Sequence, residues 1–165
     1  PRSTHCISSA ASDVYKRQAK YLPDVRFVVI GKFIDNSIEY VKKNASTNVG
    51  FTGFVSENEL IEWYQRAKVI CQLSYYEAFG LAPAEGMACE CIPVVTKERA
   101  GLPEFVGDCG FYVSYGDEKA TAEAIKKALN APDELGKKAR ERIKEMFPLE
   151  KREMELRKLI NKVYK

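Results

Sequence analysis

Hydrophobic and polar positions follow two alternating patterns from about residue 18 onward. Short apolar runs rich in β-branched residues predict strands buried on both faces of a parallel sheet, at residues 25–30, 49–55, 69–73, 92–96 and 111–114. Between and after them, mixed apolar and polar stretches predict helices at residues 37–43, 57–67, 81–89, 119–130, 134–146 and 150–164. Strands separated by helices, without hairpin signals such as Asn-Gly, indicate an α/β sheet with right-handed crossovers.

Local signals support the helix assignments. Ser56 and Glu59 form an S-x-x-E capping box at the start of the helix predicted at residues 57–67. Leu60, Ile61 and Tyr64 are spaced to form its buried face. The last predicted helix carries one apolar stripe, made of Leu156, Leu159, Ile160 and Val163.

The first 17 residues do not share this pattern. The segment PRSTHCISSAASDVYKR is polar, rich in Ser and Ala, and lacks a clear period of either kind. Because it has no apolar h-region, it is not a signal peptide. We interpret residues 1–17 as a non-native leader, and expect the fold proper to occupy residues 18–165.

Composition places the chain among ordinary soluble domains. It has 165 residues, 45% of them hydrophobic and 30% charged, which excludes a disordered, collagen-like or coiled-coil protein. The longest uninterrupted aliphatic or aromatic run is FVVI at residues 27–30, whereas a membrane-spanning helix needs about 20 residues. Five cysteines without paired spacing favour a reducing, cytoplasmic location over a disulfide framework, and they do not predict a metal site.

The formal net charge is +3, and the basic excess lies in residues 126–165, which hold 13 Lys and Arg against 7 Asp and Glu. A solvated helical surface explains this excess best. Contact with anionic lipid at the inner face of the membrane is the weaker alternative. Nucleic-acid binding is disfavoured because the basic residues are interleaved with acids and no recognition motif accompanies them.

The segment most informative about function follows the strand predicted at residues 69–73. In parallel sheets, ligands bind beyond the carboxyl ends of the strands. There Glu77 lies in a loop, and Gly80 opens a helix whose first amides lack intrahelical partners and attract anions. Glu85 lies one turn into that helix on the face of Leu81, so its carboxylate can reach a ligand at the helix start. Two carboxylate oxygens suit a ribose diol.

These residues form an E-x7-E motif, EAFGLAPAE, within a longer pattern. NVGFTGFVSENELIEWYQRAKV precedes it and EGMACECIPVVTKERAGLPEFVGDCGFYV follows it. Together they resemble the C-terminal half of retaining glycosyltransferases of the GT-B fold, the glycosyl transferase group 1 family. The resemblance runs from about residue 21 to residue 129. It implies a Rossmann-like domain that binds a nucleoside diphosphate sugar, the donor being a UDP-, GDP- or ADP-sugar.

The resemblance also implies roles for individual residues. Glu77, as the catalytic residue, would face the donor sugar near its reacting carbon. The backbone at Phe79, Gly80 and Leu81 would contact sugar hydroxyls and the diphosphate, and Glu85 would hold the ribose hydroxyls. The strand end at Phe54-Val55 matches the place where the family's backbone meets the nucleobase. Members of the family usually work without a metal, so we expect no metal and no cofactor.

Two parts of the family pattern are missing. The first strand and helix of this half, with an Arg and a Lys that neutralise the diphosphate, have no clear match, and Lys16 and Arg17 are left unassigned. In a sheet of order 3-2-1-4-5-6 the missing first strand would be central. We therefore expect either that residues 5–9 (HCISS) occupy the gap by accident, or that the sheet closes imperfectly.

The acceptor-binding N-terminal domain of the family is also missing. We therefore expect a fragment that is inactive alone and that requires this domain as a partner. The acceptor would be a sugar, a glycan or a lipid-linked sugar. The alternative is a non-catalytic nucleotide-sugar-binding module or a GT-B-like epimerase fragment. A dehydrogenase is disfavoured because no G-x-G-x-x-G follows any predicted strand.

Two further interpretations concern packing. Trp63, Tyr64, Tyr75 and Tyr76 are expected to pack rather than to serve as stacking platforms, since aromatic side chains bury much area. The segment GLPE at residues 101–104 resembles a recurring loop of the family, and a turn before a helix is an equally good interpretation.

Overall fold

The computed structural model describes residues 3–8, 18–32, 37–77, 79–97 and 101–163. The strands are β1 (Ser3–Ser8), β2 (Arg26–Ile30), β3 (Val49–Gly53), β4 (Ala67–Gln72), β5 (Ile92–Thr96) and β6 (Phe111–Val113). The helices are α1 (Ser37–Lys43), α2 (Glu57–Arg66), α3 (Leu81–Ala88), α4 (Leu102–Val106), α5 (Glu118–Asn130), α6 (Asp133–Met146) and α7 (Leu149–Val163). The five strands and six helices predicted from the pattern are all present, with ends that differ by two residues or fewer.

The six strands form one parallel sheet in the order β3-β2-β1-β4-β5-β6. From β2 onward, helices connect successive strands across the faces of the sheet, and the predicted Rossmann-like α/β fold is confirmed. Because all strands run in the same direction, their carboxyl ends lie at one edge of the sheet. The order reverses between β1 and β4, and this is where such sheets form a ligand-binding crevice.

The central strand comes from the segment that the sequence pattern excluded from the fold. Ser3–Ser8 lies between β2 and β4 and pairs with both, with Cys6 opposite Phe27 on one side and Val69 on the other. The expectation that the fold starts near residue 18 is therefore wrong. Residues 5–8 of the segment that we expected in the gap do lie in this strand, and Ser9 lies outside the described residues. That they occupy the gap by accident stays a prediction. That residues 1–17 are a non-native leader stays a prediction.

Apolar side chains cover both faces of the sheet, which explains the continuous hydrophobic runs. On one face Val69 and Cys71 of β4 join a cluster with Ile125 of α5. On the other face Ile70, the residue between them, packs with Tyr64 of α2. This alternation follows from the two-residue period of a strand. A third cluster joins α3, α4 and α6 around Phe105.

The start of α2 confirms the predicted capping box. The Glu59 amide donates to Ser56 Oγ at 3.4 Å, and the Ser56 amide donates to Glu59 Oε2 at 2.8 Å. The predicted buried face of this helix is only partly right. Tyr64 is 2% exposed, but Ile61 is 46% exposed, because the sheet covers a narrower stripe of this short helix than the spacing allowed.

Two other packing predictions can be compared with the structure. Residues 102–104 lie within a short helix, α4, with Gly101 as its N-cap, so the segment starts the helix itself and is not a turn before it; Leu102 and Phe105 are buried. That the segment is a loop of the family stays a prediction. In α7, Ile160 is 48% exposed and does not form part of a buried stripe. The side chains of Leu156, Leu159 and Val163 lie outside the described residues. No helix of the described part of the chain is long and apolar enough to cross a membrane.

Candidate active site

The candidate site lies at the carboxyl edge of the sheet, in the loop between β4 and α3. Strand β4 adjoins the point where the strand order reverses. The loop carries Glu77 and ends at Gly80, which is the N-cap residue of α3. The structure therefore brings the first carboxylate of the motif and the helix start together at the predicted edge.

Gly80 adopts a left-handed conformation with φ of 82°. Such a φ is strained for a residue with a side chain. A Cβ at this position would also lie 2.5 Å from Leu102 Cδ2 and 3.4 Å from Glu77 Cγ. Glycine is therefore required here by both conformation and space, and Glu77 lies directly beside it.

Among the residues that the structure describes, no side chain caps the start of α3, and the first turn of this helix carries no acidic residue. The first intrahelical hydrogen bond runs from the Ala84 amide to the Gly80 carbonyl at 3.2 Å, and Pro83 has no amide hydrogen. The amides of Leu81 and Ala82 precede that bond and lie where the helix dipole favours an anion. Backbone donors at this place suit a phosphate group.

Glu77 is half-buried and is held by polar groups at the ends of β4 and β5. Gln72 Nε2 donates to Glu77 Oε2 at 3.2 Å and to Ser74 Oγ at 2.6 Å. Thr96 Oγ1 donates to the Ser74 carbonyl at 2.7 Å. Gln72 and Thr96 are 4% and 1% exposed, so they anchor the loop from within the sheet. The Glu77 carboxylate is therefore fixed in position rather than mobile in solvent.

Glu85 is exposed on the second turn of α3, and a buried tyrosine holds its carboxylate. The Tyr64 hydroxyl donates to Glu85 Oε2 at 3.2 Å, although the tyrosine is only 2% exposed. Burial raises the pKa of Tyr64 well above its ordinary value, and the charge of Glu85 raises it further. The hydroxyl therefore keeps its proton and remains a donor to Glu85 at neutral pH.

The remaining predicted site residues lie at the same edge. Leu81 and Phe54 are 68% and 80% exposed, and Val55 is half-buried against the cluster that contains Tyr64. Phe79 stacks on Phe105 with ring centroids 5.5 Å apart and meets Phe147 edge-on at 5.3 Å. The Phe79 side chain thus anchors the loop to α4, while its backbone lies next to Gly80.

The pattern analysis did not identify three supporting residues. Gln72 and Thr96 are polar residues at the carboxyl ends of buried strands, and that position is the signal that could have revealed them. Tyr64 was assigned to packing alone, and nothing in the local sequence relates it to Glu85. The expectation that Tyr75 and Tyr76 pack is wrong, since they are 53% and 68% exposed. Among the described residues, Tyr75 meets the ring of Tyr115 in a T-shaped contact, with the ring centroids 5.2 Å apart.

Three observations bear on other kinds of site. Within the described ranges, no group of three or more His, Cys, Asp and Glu side chains could hold a metal ion. Among the described residues, Cys71, Cys89, Cys91 and Cys109 form no disulfide. A groove of about 340 Å³ lies at the amino ends of β2 and β3, opposite the candidate site, and is lined by residues 23–26 and 47–50.

Comparison with known proteins gives a consistent picture. The sequence model of the family described as glycosyl transferases group 1 matches residues 8–146. The capsular polysaccharide biosynthesis glycosyltransferase CapM of Staphylococcus aureus is 32% identical over 133 residues, which are 75% of this chain and 34% of that protein. The chain spans well under half the length of the curated relatives it matches.

Solved structures share the fold. Sucrose-phosphate synthase from Thermosynechococcus elongatus superposes with a TM-score of 0.80 at 22% identity, over 99% of this chain and 46% of that one. Anabaena HepE, solved in complex with UDP and glucose, superposes with a TM-score of 0.82 at 18% identity, over 98% of this chain and 49% of that one.

Proposed function

This chain belongs to the group 1 glycosyl transferase family, and on that premise we propose that it is the donor-binding part of a retaining glycosyltransferase. Its ligand is a nucleoside diphosphate sugar with uridine, guanosine or adenosine as the base. The observation that carries the proposal is the placement of Glu77 against Gly80 at the start of α3. A helix start can bind the diphosphate, and a carboxylate beside it can face the sugar, so the two groups suit the two sides of the bond that joins sugar and phosphate.

The diphosphate binds at the start of α3. The amides of Gly80, Leu81 and Ala82 donate to its oxygens, and the helix dipole stabilises the charge that grows as the diphosphate leaves. Gly80 brings the backbone close to the ligand because it has no side chain. These donors are fixed before the ligand arrives, so little reorganisation is needed during the reaction.

Glu77 faces the sugar. In a transfer that retains the anomeric configuration, the sugar develops positive charge as its bond to the diphosphate breaks. A carboxylate near the reacting carbon stabilises that charge electrostatically. The hydrogen bond from the buried Gln72 holds Glu77 for this role, because a preorganised charge stabilises a transition state better than a mobile one.

Glu85 and the end of β3 bind the nucleoside. The Glu85 carboxylate accepts hydrogen bonds from the two ribose hydroxyls. The backbone at Val55 meets the nucleobase, and Val55 packs against the same cluster that contains Tyr64. The complex of Anabaena HepE with UDP and glucose supports a nucleoside diphosphate as the ligand of a domain with this fold.

The acceptor binds outside this chain. A separate N-terminal domain, for which the lengths of the relatives leave room, would hold a sugar, a glycan or a lipid-linked sugar as acceptor. We propose that the chain alone transfers no sugar, requires no metal, and belongs to a cytoplasmic enzyme that acts at the inner face of the membrane when its acceptor is lipid-linked.

Calorimetric titration of the purified chain with UDP, GDP and ADP tests the proposal. We expect one of the three to bind, and we expect Glu85→Ala to weaken that binding about tenfold, the value of a hydrogen bond to a charged group. Glu123→Ala, which removes an exposed glutamate of α5, is the matched control and should leave the affinity unchanged. A folded chain that binds none of the three would contradict the proposal and favour a module with another ligand.

A further inference from the structure

Tyr64 makes a contact that its role in the core does not require. Its ring lies in the cluster between α2 and the sheet, and phenylalanine would fill the same space. The ring is held by this packing, since Tyr64 is 2% exposed, and the Tyr64 backbone carbonyl accepts a separate hydrogen bond from Cys91 Sγ at 3.2 Å. The hydroxyl is not needed for this packing, and it donates a hydrogen bond to Glu85 Oε2 at 3.2 Å.

This contact joins a rigid residue to a mobile one. Glu85 is an exposed glutamate with three side-chain torsions, and such a side chain loses conformational freedom when it binds a ligand. Tyr64 is 2% exposed and has no comparable freedom. A hydrogen bond between them restricts the Glu85 carboxylate before a ligand arrives. It occupies one lone pair of Oε2 and leaves Oε1 and the other Oε2 lone pair available to a ligand.

We propose that Tyr64 is a positioning residue for Glu85 and thereby makes the site selective for ribonucleotides over deoxyribonucleotides. The inference rests on the proposed role of Glu85 in binding ribose. A positioned carboxylate can accept from the 2′- and 3′-hydroxyls together, so the loss of either hydroxyl from the ligand costs a hydrogen bond. A carboxylate that is free to rotate adapts to the remaining hydroxyl, so the difference in affinity between the ribonucleotide and the deoxyribonucleotide becomes smaller.

The test is a comparison of affinities. The tightest binder among UDP, GDP and ADP and its 2′-deoxy counterpart are titrated into the wild-type chain and into Tyr64→Phe. We expect the wild type to prefer the ribonucleotide about tenfold. In Tyr64→Phe we expect this preference to fall about threefold or more. Without the hydroxyl, the Glu85 side chain is not restricted in advance and loses conformational freedom when the ligand binds. Tyr112→Phe, which removes a tyrosine hydroxyl that donates to the Gly107 carbonyl away from Glu85, should keep the wild-type preference.

A double-mutant cycle separates positioning from a general effect on the fold. In a Glu85→Ala background, Tyr64→Phe should cause no further loss of affinity, because the residue that it positions is gone. A further loss of the same size as in the wild type would overturn the proposal, since Tyr64 would then act on the fold and not through Glu85.

The preference itself separates this inference from the proposed function. If the wild type prefers the ribonucleotide and Tyr64→Phe keeps that preference in full, the role of Tyr64 is wrong and the ribose assignment of Glu85 stands. If the wild type binds the ribonucleotide and the 2′-deoxyribonucleotide equally, or binds no nucleotide, the ribose assignment of Glu85 fails. The role of Tyr64 then fails with it.

Discussion

Leu102 packs so closely over Gly80 that a Cβ on residue 80 would lie 2.5 Å from Leu102 Cδ2. The contact ties the start of α3 to the start of α4, two elements that the chain separates by a strand. Gly80 also has a φ of 82°, so an alanine there would be strained twice, by its conformation and by its neighbour.

We expect Gly80→Ala to lower the free energy of unfolding by more than the roughly 1–2 kcal/mol that a left-handed non-glycine residue costs. Binding of the nucleoside diphosphate should weaken as well, because α3 or α4 must shift to admit the methyl group. Urea unfolding and calorimetry measure the two effects.

Gly116→Ala is the matched control for this substitution. Gly116 has nearly the same φ, 80°, but a Cβ there would meet nothing within 4 Å. It should cost only the conformational strain and should leave nucleotide binding unchanged. Equal effects of the two substitutions on stability and binding would show that the Leu102 contact does not constrain the site.

The hydrogen bond from Gln72 to Glu77 leads to a prediction about sugar binding. Because we assign Glu77 to the sugar and not to the diphosphate, Glu77→Ala should leave the affinity for the nucleoside diphosphate within about twofold. The same substitution should lower the affinity for the corresponding nucleotide sugar about tenfold, the loss of affinity expected when a hydrogen bond to a charged group is removed. Competitive titration of the two ligands measures both affinities in one sample.

Gln72→Leu should also lower the affinity for the nucleotide sugar and not that for the nucleoside diphosphate. The loss should be smaller, about threefold, because the Glu77 carboxylate remains and only its hydrogen bond from Gln72 is lost. A loss of nucleoside diphosphate affinity equal to the loss for the nucleotide sugar, in either variant, would contradict the assignment of Glu77 to the sugar.

The capping box of α2 gives a pH-dependent prediction. Hydrogen bonds from the Ser56 amide and hydroxyl lower the pKa of Glu59 below its ordinary value. Because the folded-state pKa is the lower one, the stabilisation is present above the unfolded-state pKa of about 4.3 and is lost as the pH falls through the folded-state pKa.

Ser56→Ala should therefore cost about 1 kcal/mol of the free energy of unfolding at pH 7, and less once the pH has fallen below the folded-state pKa of Glu59. Urea unfolding at pH 7 and at a pH below that pKa measures the difference. Asn58→Ala, a substitution of an exposed residue in the first turn of the same helix, should show no such dependence on pH. An equal cost of Ser56→Ala at both pH values would mean that the hydrogen bond from the Ser56 hydroxyl to Glu59 contributes nothing to the cap.

The elements that the sequence predicts well are those whose signals are local. Ser37–Lys43 and Ile92–Thr96 have the predicted bounds, because a helical period in one case and a β-branched apolar run in the other decide the structure within a few residues. The capping box is local in the same way, since its two residues are three positions apart.

The features that the local sequence pattern does not predict depend on contacts between distant residues. Ser3–Ser8 is polar and has no strand pattern, yet it lies in the centre of the sheet because it pairs with strands on both sides. The Tyr64 hydroxyl meets a carboxylate 21 residues further along the chain. Local propensity carries no information about either contact. The contact between Tyr64 and Glu85 forms only because α2 and α3 pack side by side on the sheet.

The central claim is that a nucleoside diphosphate binds at the carboxyl edge of the sheet, at the start of α3. Amide chemical-shift mapping of the isotope-labelled chain tests it most directly, with the nucleotide that binds tightest added in steps. We predict that the largest shifts occur at the amides of Phe79, Gly80, Leu81 and Ala82, with smaller shifts at Val55 and Glu85. Shifts concentrated instead at residues 23–26 and 47–50, which line the groove at the opposite edge, would contradict the account.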